Sequence, residues 1–366
     1  MKTTPDVLLI GGGVMGCASA LALAESGLRV VVLERSVPGA EASSAAAGIL
    51  GAQAEAHEPG PFFELARLSL DRYPSWAERL GRATGIDVGY RACGALRVAF
   101  ADADAAAIER GVAWQREVGL AVERLDTAAL ALLEPALAAR GAVLFAGDGR
   151  IDPPLLLRAL QIAARAAGAQ FQTGAYVRAI DVEKGAVRGV SLEDGSRLSC
   201  ENVVLAAGSW STLVGGVPLS AGAVRPARGQ IVELETPSPP LGRVVFGPRC
   251  YLVPRDDGRI LIGSTLEFVG YRREVTARAV RDLLDAAIEL VPSLADAAIG
   301  RMWSSFRPYT GGLPFLGPTE VRGLVLATGH HRNGILLAPI TAEIVRGAVR
   351  GEKSPIDLLP FAPPAP

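Results

Sequence analysis

Two hydrophobic periods alternate along the first two thirds of this chain. Val7–Ile10 and Val203–Ala207 are apolar at every position, and Arg29–Leu33 is apolar after its first residue. Such short runs predict strands covered on both faces. Between them, Cys17–Ser26, Phe62–Leu80, Ala103–Val118, Asp126–Leu137 and Leu155–Gly168 carry apolar residues three and four apart. That spacing predicts helices with one buried face, and it makes Trp76 and Trp114 core aromatics. Gly94–Phe100 alternates and reads as a strand, as do Gln170–Val177 and Val187–Leu192. Beyond Arg225 the pattern changes. Gly229–Thr236, Val244–Val253 and Arg259–Ser264 follow one another as strands, with Asp256-Asp-Gly258 as a hairpin turn and a helix over Ala277–Val291. Consecutive strands predict an antiparallel sheet, whereas the earlier strand–helix alternation predicts a parallel one. A strand at Gly323–Thr328 and a helix over Gly334–Arg350 close the pattern.

The first strand runs straight into Gly11-Gly-Gly-Val-Met-Gly16, so Gly11, Gly13 and Gly16 fill the three places of G-x-G-x-x-G. The glycines supply a tight turn, bare backbone for a pyrophosphate, and close approach of helix to strand. The helix that follows aims unpaired N–H groups at the phosphates. Glu34 ends the second strand 18 positions beyond Gly16, near the spacing of about 20 for an acid that binds ribose hydroxyls. Strand, glycines, helix, strand and acid therefore fall in the order a dinucleotide site requires. The fold class predicted is α/β: a Rossmann-like dinucleotide domain interleaved with an α+β domain built on an antiparallel sheet.

Composition narrows the chemistry. The chain has 366 residues and a net charge of −1, so no nucleic-acid partner is expected. No apolar run reaches the roughly 18 residues of a membrane span, and the N-terminus enters the first strand without room for a signal peptide. These features predict a cytoplasmic protein. Its four cysteines (Cys17, Cys93, Cys200, Cys250) lack metal-ligand spacing, and with three histidines no metal site is expected.

Pro38–Gly51 (PGAEASSAAAGILG) is built of small residues, fit for packing against a cofactor, where Ser43 or Ser44 can contact phosphate. Together with Gly11–Gly16 and Glu34, the run Ser43–Leu50 resembles the amino-acid oxidase superfamily of flavoproteins, which includes the D-amino-acid and sarcosine oxidases. Within it the likeness is to the glycine oxidases associated with thiamine biosynthesis. The resemblance spans nearly the whole chain. It implies a glutathione-reductase-like FAD domain of residues 1–85, 145–222 and 315–366, and a substrate domain of residues 86–144 and 223–314. It also implies FAD as the dinucleotide, held by Gly11, Gly13, Val14, Met15, Gly16, Glu34, Arg35, Ser43, Ser44, Ala47, Gly48 and Ile49. Val177 would add backbone contacts to the adenine. Gly208, at the end of Asn202–Trp210, would pass close to the nucleotide, and His330, Arg332, Asn333, Gly334, Ile335 and Leu336 would border the flavin.

On the substrate side, CYLVPR around Tyr251 and FRPYT…G-x-P-F-L-G from Phe306 resemble the family's substrate-binding segments. A guanidinium holds a carboxylate through two parallel charge-assisted hydrogen bonds, the task assigned to Arg307. Tyr251 would add a third hydrogen bond and an apolar wall. Arg332 would border the substrate or add positive potential beside the flavin at the N-terminus of the last helix. His330 and His331 invite an acid/base reading, although neighbouring loop residues usually point in different directions. Leu266 is expected to wall the pocket. No cysteine occurs in Ser304–Thr310, where some relatives attach FAD, so a non-covalent cofactor is expected. The resemblance implies hydride transfer from the α-carbon of a small amino acid to the flavin, with O2 as acceptor, in a homo-oligomer. A dehydrogenase feeding a quinone or partner subunit, a nicotinamide enzyme and a non-catalytic flavin subunit are the alternatives. The tail Phe361–Pro366 is expected to fray.

Overall fold

The computed structural model describes residues 4–364. A six-stranded sheet forms one half of the molecule, in the order Phe315–Pro318, Leu324–Thr328, Val203–Leu205, Val7–Ile10, Val30–Glu34 and Gln170–Thr173. All neighbours are parallel except the edge strand Phe315–Pro318. Side chains of the central strand point alternately to its two faces, as a period of two dictates. Val7 and Leu9 enter a core with helices Val14–Glu25, Pro153–Ala166 and Gly334–Arg350. Leu8 and Ile10 enter a second core, under the antiparallel strands Val177–Glu183, Ala186–Leu192 and Arg197–Ser199. This is why the run is apolar throughout.

An eight-stranded sheet forms the other half, in the order Ala298–Tyr309, Arg225–Glu235, Arg259–Gly263, Tyr251–Pro254, Val244–Phe246, Ala95–Ala99, Gly141–Phe145 and Glu123–Leu125. One face packs on helix Ala277–Leu290. The other carries Ile231, Tyr251 and Leu261 against Ala47 and Ala54 of the first half. The sheet is antiparallel except where Val244–Phe246 meets Ala95–Ala99. The α/β class with a sheet-rich second part is thus the one the patterning predicts.

Several boundaries differ for local reasons. The helix expected over Phe62–Leu80 is two, Pro61–Leu70 and Tyr73–Thr84, because Pro74 lacks an N–H and starts a new first turn. Val244–Val253 is two strands, folded back where Gly247 N–H donates to Cys250 O. Gly174, with φ +73°, divides Gln170–Thr173 from Val177–Glu183. The helix begun by Asp126, whose side chain accepts from Ala129 N–H, stops at Leu133 rather than Leu137, just ahead of Pro135. Trp76 is a core residue, while Trp114 is half-buried, edge-on to Phe63 at 5.1 Å. Phe361 is wholly buried, so the tail is anchored there instead of frayed; residues 1–3 and 365–366 lie outside the described ones. Among the described residues no helix is long and apolar enough to cross a membrane.

Candidate active site

A cleft of about 1620 Å³, open mouth included, follows the carboxyl ends of the parallel strands and continues beneath the eight-stranded sheet. Strand ends of an open α/β sheet are where such folds bind ligands. Gly11 and Gly13 line its floor, and the glycines are needed there. Gly11 has φ +104°, and a Cβ on it would stand 2.5 Å from Ala206 O. A Cβ on Gly16 would overlap the carbonyl of Gly11, so Gly16 lies behind the cleft and sets the approach of helix to strand. Val14 and Met15 follow in the first turn of a helix that no side chain of its N-cap Gly13 caps. Glu34 is fixed at the end of its strand by N–H donors from Gly12 (2.7 Å) and Ser36 (2.8 Å). Arg35 sits over Trp210, its Cζ 3.8 Å from the ring centre, and pairs with Glu41 at 2.6 Å.

The small-residue segment forms the next wall. Ala47, Gly48 and Ile49 line the cleft, held from behind by Arg255 donating to Ala47 O (2.6 Å) and Trp303 to Ala45 O (3.0 Å). Ser43 lines it and accepts from Val14 N–H at 2.9 Å. Ser44 does not; its hydroxyl turns back to Gly39 O. Val177 and Gly208 border the cleft. At the far end lie His330, Arg332, Gly334 and Ile335, where the last helix begins with no side-chain cap. Two neighbours in that expected set do not line the cleft with their side chains. Leu336 is wholly buried in the helical core, and Asn333 closes the preceding turn by donating to His330 O.

A long cleft with two helix N-termini, a glycine floor and a fixed carboxylate fits FAD: donors for a pyrophosphate, an acceptor for ribose, and an apolar space.

Arg307 sits on the strand Ala298–Tyr309, opposite Ala227 of the neighbouring strand. Nη1 donates to Thr265 O at 3.0 Å and Nη2 to Ser264 Oγ. Two of five donors are thus occupied, and no carboxylate pairs with it among the described residues. Burial pulls its pKa down, while neighbouring Tyr251 pushes it up. Both groups have space only because glycines face them: a Cβ on Gly229 would overlap the guanidinium, and one on Gly263 the Tyr251 ring. Leu266 is half-exposed and outside the cleft, a correction to the wall expected of it. Gly229→Ala should keep the fold and the flavin but raise KM for the carboxylate substrate roughly tenfold or more, through misplacement of Arg307. Steady-state kinetics on the flavin-loaded variant check this.

The two histidines differ. His330 is buried, with Nε2 3.1 Å from Thr341 Oγ1, and burial pushes its pKa down to about 3. His331 adopts φ +48°, stands edge-on to Tyr309 at 4.9 Å, and is pushed down to about 4 by burial and by the Arg307 and Arg332 charges. Both are neutral near pH 7. A depressed imidazole pKa means that the unfolded chain takes up the proton first. The stability contributed by His330 is whole above about 6.5 and is lost as pH falls towards about 3. Asp148, wholly buried and pushed up to about 7, acts oppositely between about 4 and 7. His330→Gln should therefore gain stability relative to the parent on going from pH 7 to pH 5, by about 2 kcal/mol. Urea midpoints at the two pH values measure it.

Sequence reasoning missed Glu55, Trp210, Gly229 and Gly263. Glu55 lines the cleft 3.4 Å from Arg332 and had no flanking motif to mark it.

The family described as FAD dependent oxidoreductase matches residues 6–347. A glycine oxidase from Geobacillus kaustophilus is 38% identical over 366 residues, covering 98% of this chain and 96% of its own. A crystal structure of glycine oxidase from the same organism superposes with a TM-score of 0.94, covering 98% of each chain. A bifunctional ThiO/ThiG protein of Synechocystis is 40% identical over 363 residues, 96% of this chain; the chain spans only 53% of that relative. With a matching family over nearly its whole length and a cleft built for the cofactor, the chain belongs to the FAD-dependent oxidoreductases of the amino-acid oxidase type.

Proposed function

We propose that this protein oxidatively deaminates glycine, converting glycine, water and O2 into glyoxylate, ammonia and hydrogen peroxide. The observation that carries the reading is Arg307: a guanidinium without a carboxylate partner among the described residues, beside Tyr251, in the cleft that the glycine turn and Glu34 also line. FAD bound in that cleft supplies the two-electron oxidation. Arg307 receives the substrate carboxylate in a two-pronged grip, and Tyr251 adds a hydroxyl and an apolar ring. Fixing one end of so small a molecule fixes the direction of its C–H bond, and positioning of this kind supplies much of a rate enhancement. The uncapped start of Gly334–Arg350 favours negative charge arising nearby. Sarcosine and D-alanine are further substrates in the same grip.

The FAD-binding domain is assigned to residues 1–85, 145–222 and 315–366 and the substrate domain to residues 86–144 and 223–314. FAD binding falls to Gly11, Gly13, Val14, Met15, Gly16, Glu34, Arg35, Ser43, Ala47, Gly48, Ile49, Val177, Gly208, His330, Arg332, Gly334 and Ile335; substrate holding falls to Arg307 and Tyr251, with Arg332 at the border. A cytoplasmic homo-oligomer serving thiamine biosynthesis completes the reading. Exposed apolar side chains on the substrate half, among them Phe268, Ile299 and Met302, support association between copies.

The test is an anaerobic titration of the yellow protein with glycine, sarcosine and D-alanine, followed by air. Bleaching by glycine and prompt recovery with peroxide is the expected result. Bleaching without recovery would identify a dehydrogenase that uses another acceptor, and no bleaching by any of the three would refute the substrate class.

A further inference from the structure

The second charge of the cleft, Arg332, is already neutralised by a carboxylate that the protein holds in place at unusual expense. Glu55 follows a turn whose backbone is bound by three side chains from distant segments. Asp148, wholly buried, accepts the N–H of Gln53 at 3.1 Å and of Ala54 at 2.8 Å. Arg97 donates to Ala54 O. Gln115, also wholly buried, donates to Gln53 O at 3.0 Å and accepts from the Gln53 side chain at 3.1 Å. Burying a carboxylate is costly, and apolar packing would hold a mere turn at lower cost. What the network fixes is the position of Glu55. Its carboxylate, 11% exposed, meets Arg332 at 3.4 Å, and its charge also reaches Arg307.

The two guanidiniums are therefore unequal. Arg307, deep in the cleft, has no carboxylate partner among the described residues, whereas Arg332, 45% exposed, has Glu55. A substrate with one carboxylate finds one vacant cation. A second anionic arm, extending from the amine towards Arg332, meets an occupied cation and a fixed negative charge.

We propose that Glu55 is a specificity-determining residue: it pairs with Arg332 so that the site accepts amines bearing a single carboxylate and rejects N-carboxyalkyl amines bearing two. This rests on the reading of the cleft as an amino-acid oxidase site. Glu55 acts through charge, so its removal should admit the second anion, and should do so only while Arg332 remains to bind it.

Two unreactive ethers test the idea on the FAD-loaded protein. Methoxyacetate carries one carboxylate and oxydiacetate two, on nearly the same skeleton. Their dissociation constants are read from the perturbation of the flavin spectrum. The parent protein should prefer methoxyacetate, and Glu55→Gln should move the ratio about tenfold or more towards oxydiacetate, the worth of one added charge-assisted contact at a partly exposed site. Adding Arg332→Gln to Glu55→Gln should abolish that shift. A ratio that moves less than roughly twofold in Glu55→Gln, or a shift that survives loss of Arg332, overturns the proposal. Glycine turnover by the parent protein is measured in parallel. Turnover with an unmoved ratio refutes the role of Glu55 and leaves the oxidase reading standing. A moved ratio without turnover refutes the oxidase reading and leaves the charge selectivity.

Discussion

Arg307→Ala should lower kcat/KM for glycine roughly a thousandfold, with the flavin still bound. The substrate carboxylate would then lie in a water-poor cleft facing Tyr251 alone, and breaking a buried, hydrogen-bonded charge pair costs about 3–5 kcal/mol. Most of that loss belongs in KM, because the grip acts on a group that does not react. Arg307→Lys should recover only part of it: an ammonium restores the charge but not the fork that sets orientation. Retention of FAD separates this effect from collapse of the site, since the Arg307 guanidinium donates to Thr265 O and Ser264 Oγ and ties together no other element by a salt bridge among the described residues. Steady-state kinetics on both variants, with flavin content per chain, give the answer. A KM within about threefold of the parent's would remove Arg307 from the substrate site.

Gly11→Ala should yield a nearly colourless protein of lowered Tm. The position has φ +104° and no room, with Ala206 O 2.5 Å from any added Cβ. Either the strand–helix turn or the neighbouring strand must move, and both underlie the pyrophosphate. Gly27→Ala is the control, because Gly27 also has positive φ (+86°) but faces open space. Backbone strain alone should cost it on the order of 1 kcal/mol and leave the flavin in place. Flavin absorbance per chain and thermal midpoints for the two variants separate strain from close approach. Equal flavin content in both would mean that the glycine floor is not needed for the cofactor.

The parts that were legible in the sequence are those in which neighbours along the chain are neighbours in space. Val7 to Glu34 form strand, turn, helix and strand in order, so the glycines and Glu34 could be placed from spacing alone. Tyr251 and Arg307 were legible only through their flanking residues, since periodicity marks neither. Glu55 was not legible at all: its turn is bound by side chains 43, 62 and 94 residues away, at Arg97, Gln115 and Asp148. Gly229 and Gly263 matter through the side chains that cross them from adjacent strands, which depends on register and leaves no trace in local pattern. The twelve-residue strand Ala298–Tyr309 escaped notice because only two of its residues are buried and Pro308 near its end argues against a strand. Leu266 was misplaced because its position came from the resemblance alone, and a matching position does not say which way a loop side chain points.

Val7–Ile10 takes one neighbour from Val30–Glu34, close behind it in the chain, and waits for the other until Val203–Leu205 has been made. Leu324–Thr328 must then join that partner before Gly334–Arg350 can settle against Val14–Glu25 and bring its open end to the cleft. During synthesis the nascent chain therefore carries an uncovered sheet edge for most of its length, a condition that favours mispairing and calls for chaperone protection. The cleft is complete only once Gly334–Arg350 has been made and has docked on the helical core, so flavin capture is expected to follow that step. Yellow colour in a fresh preparation then counts finished molecules rather than merely soluble ones.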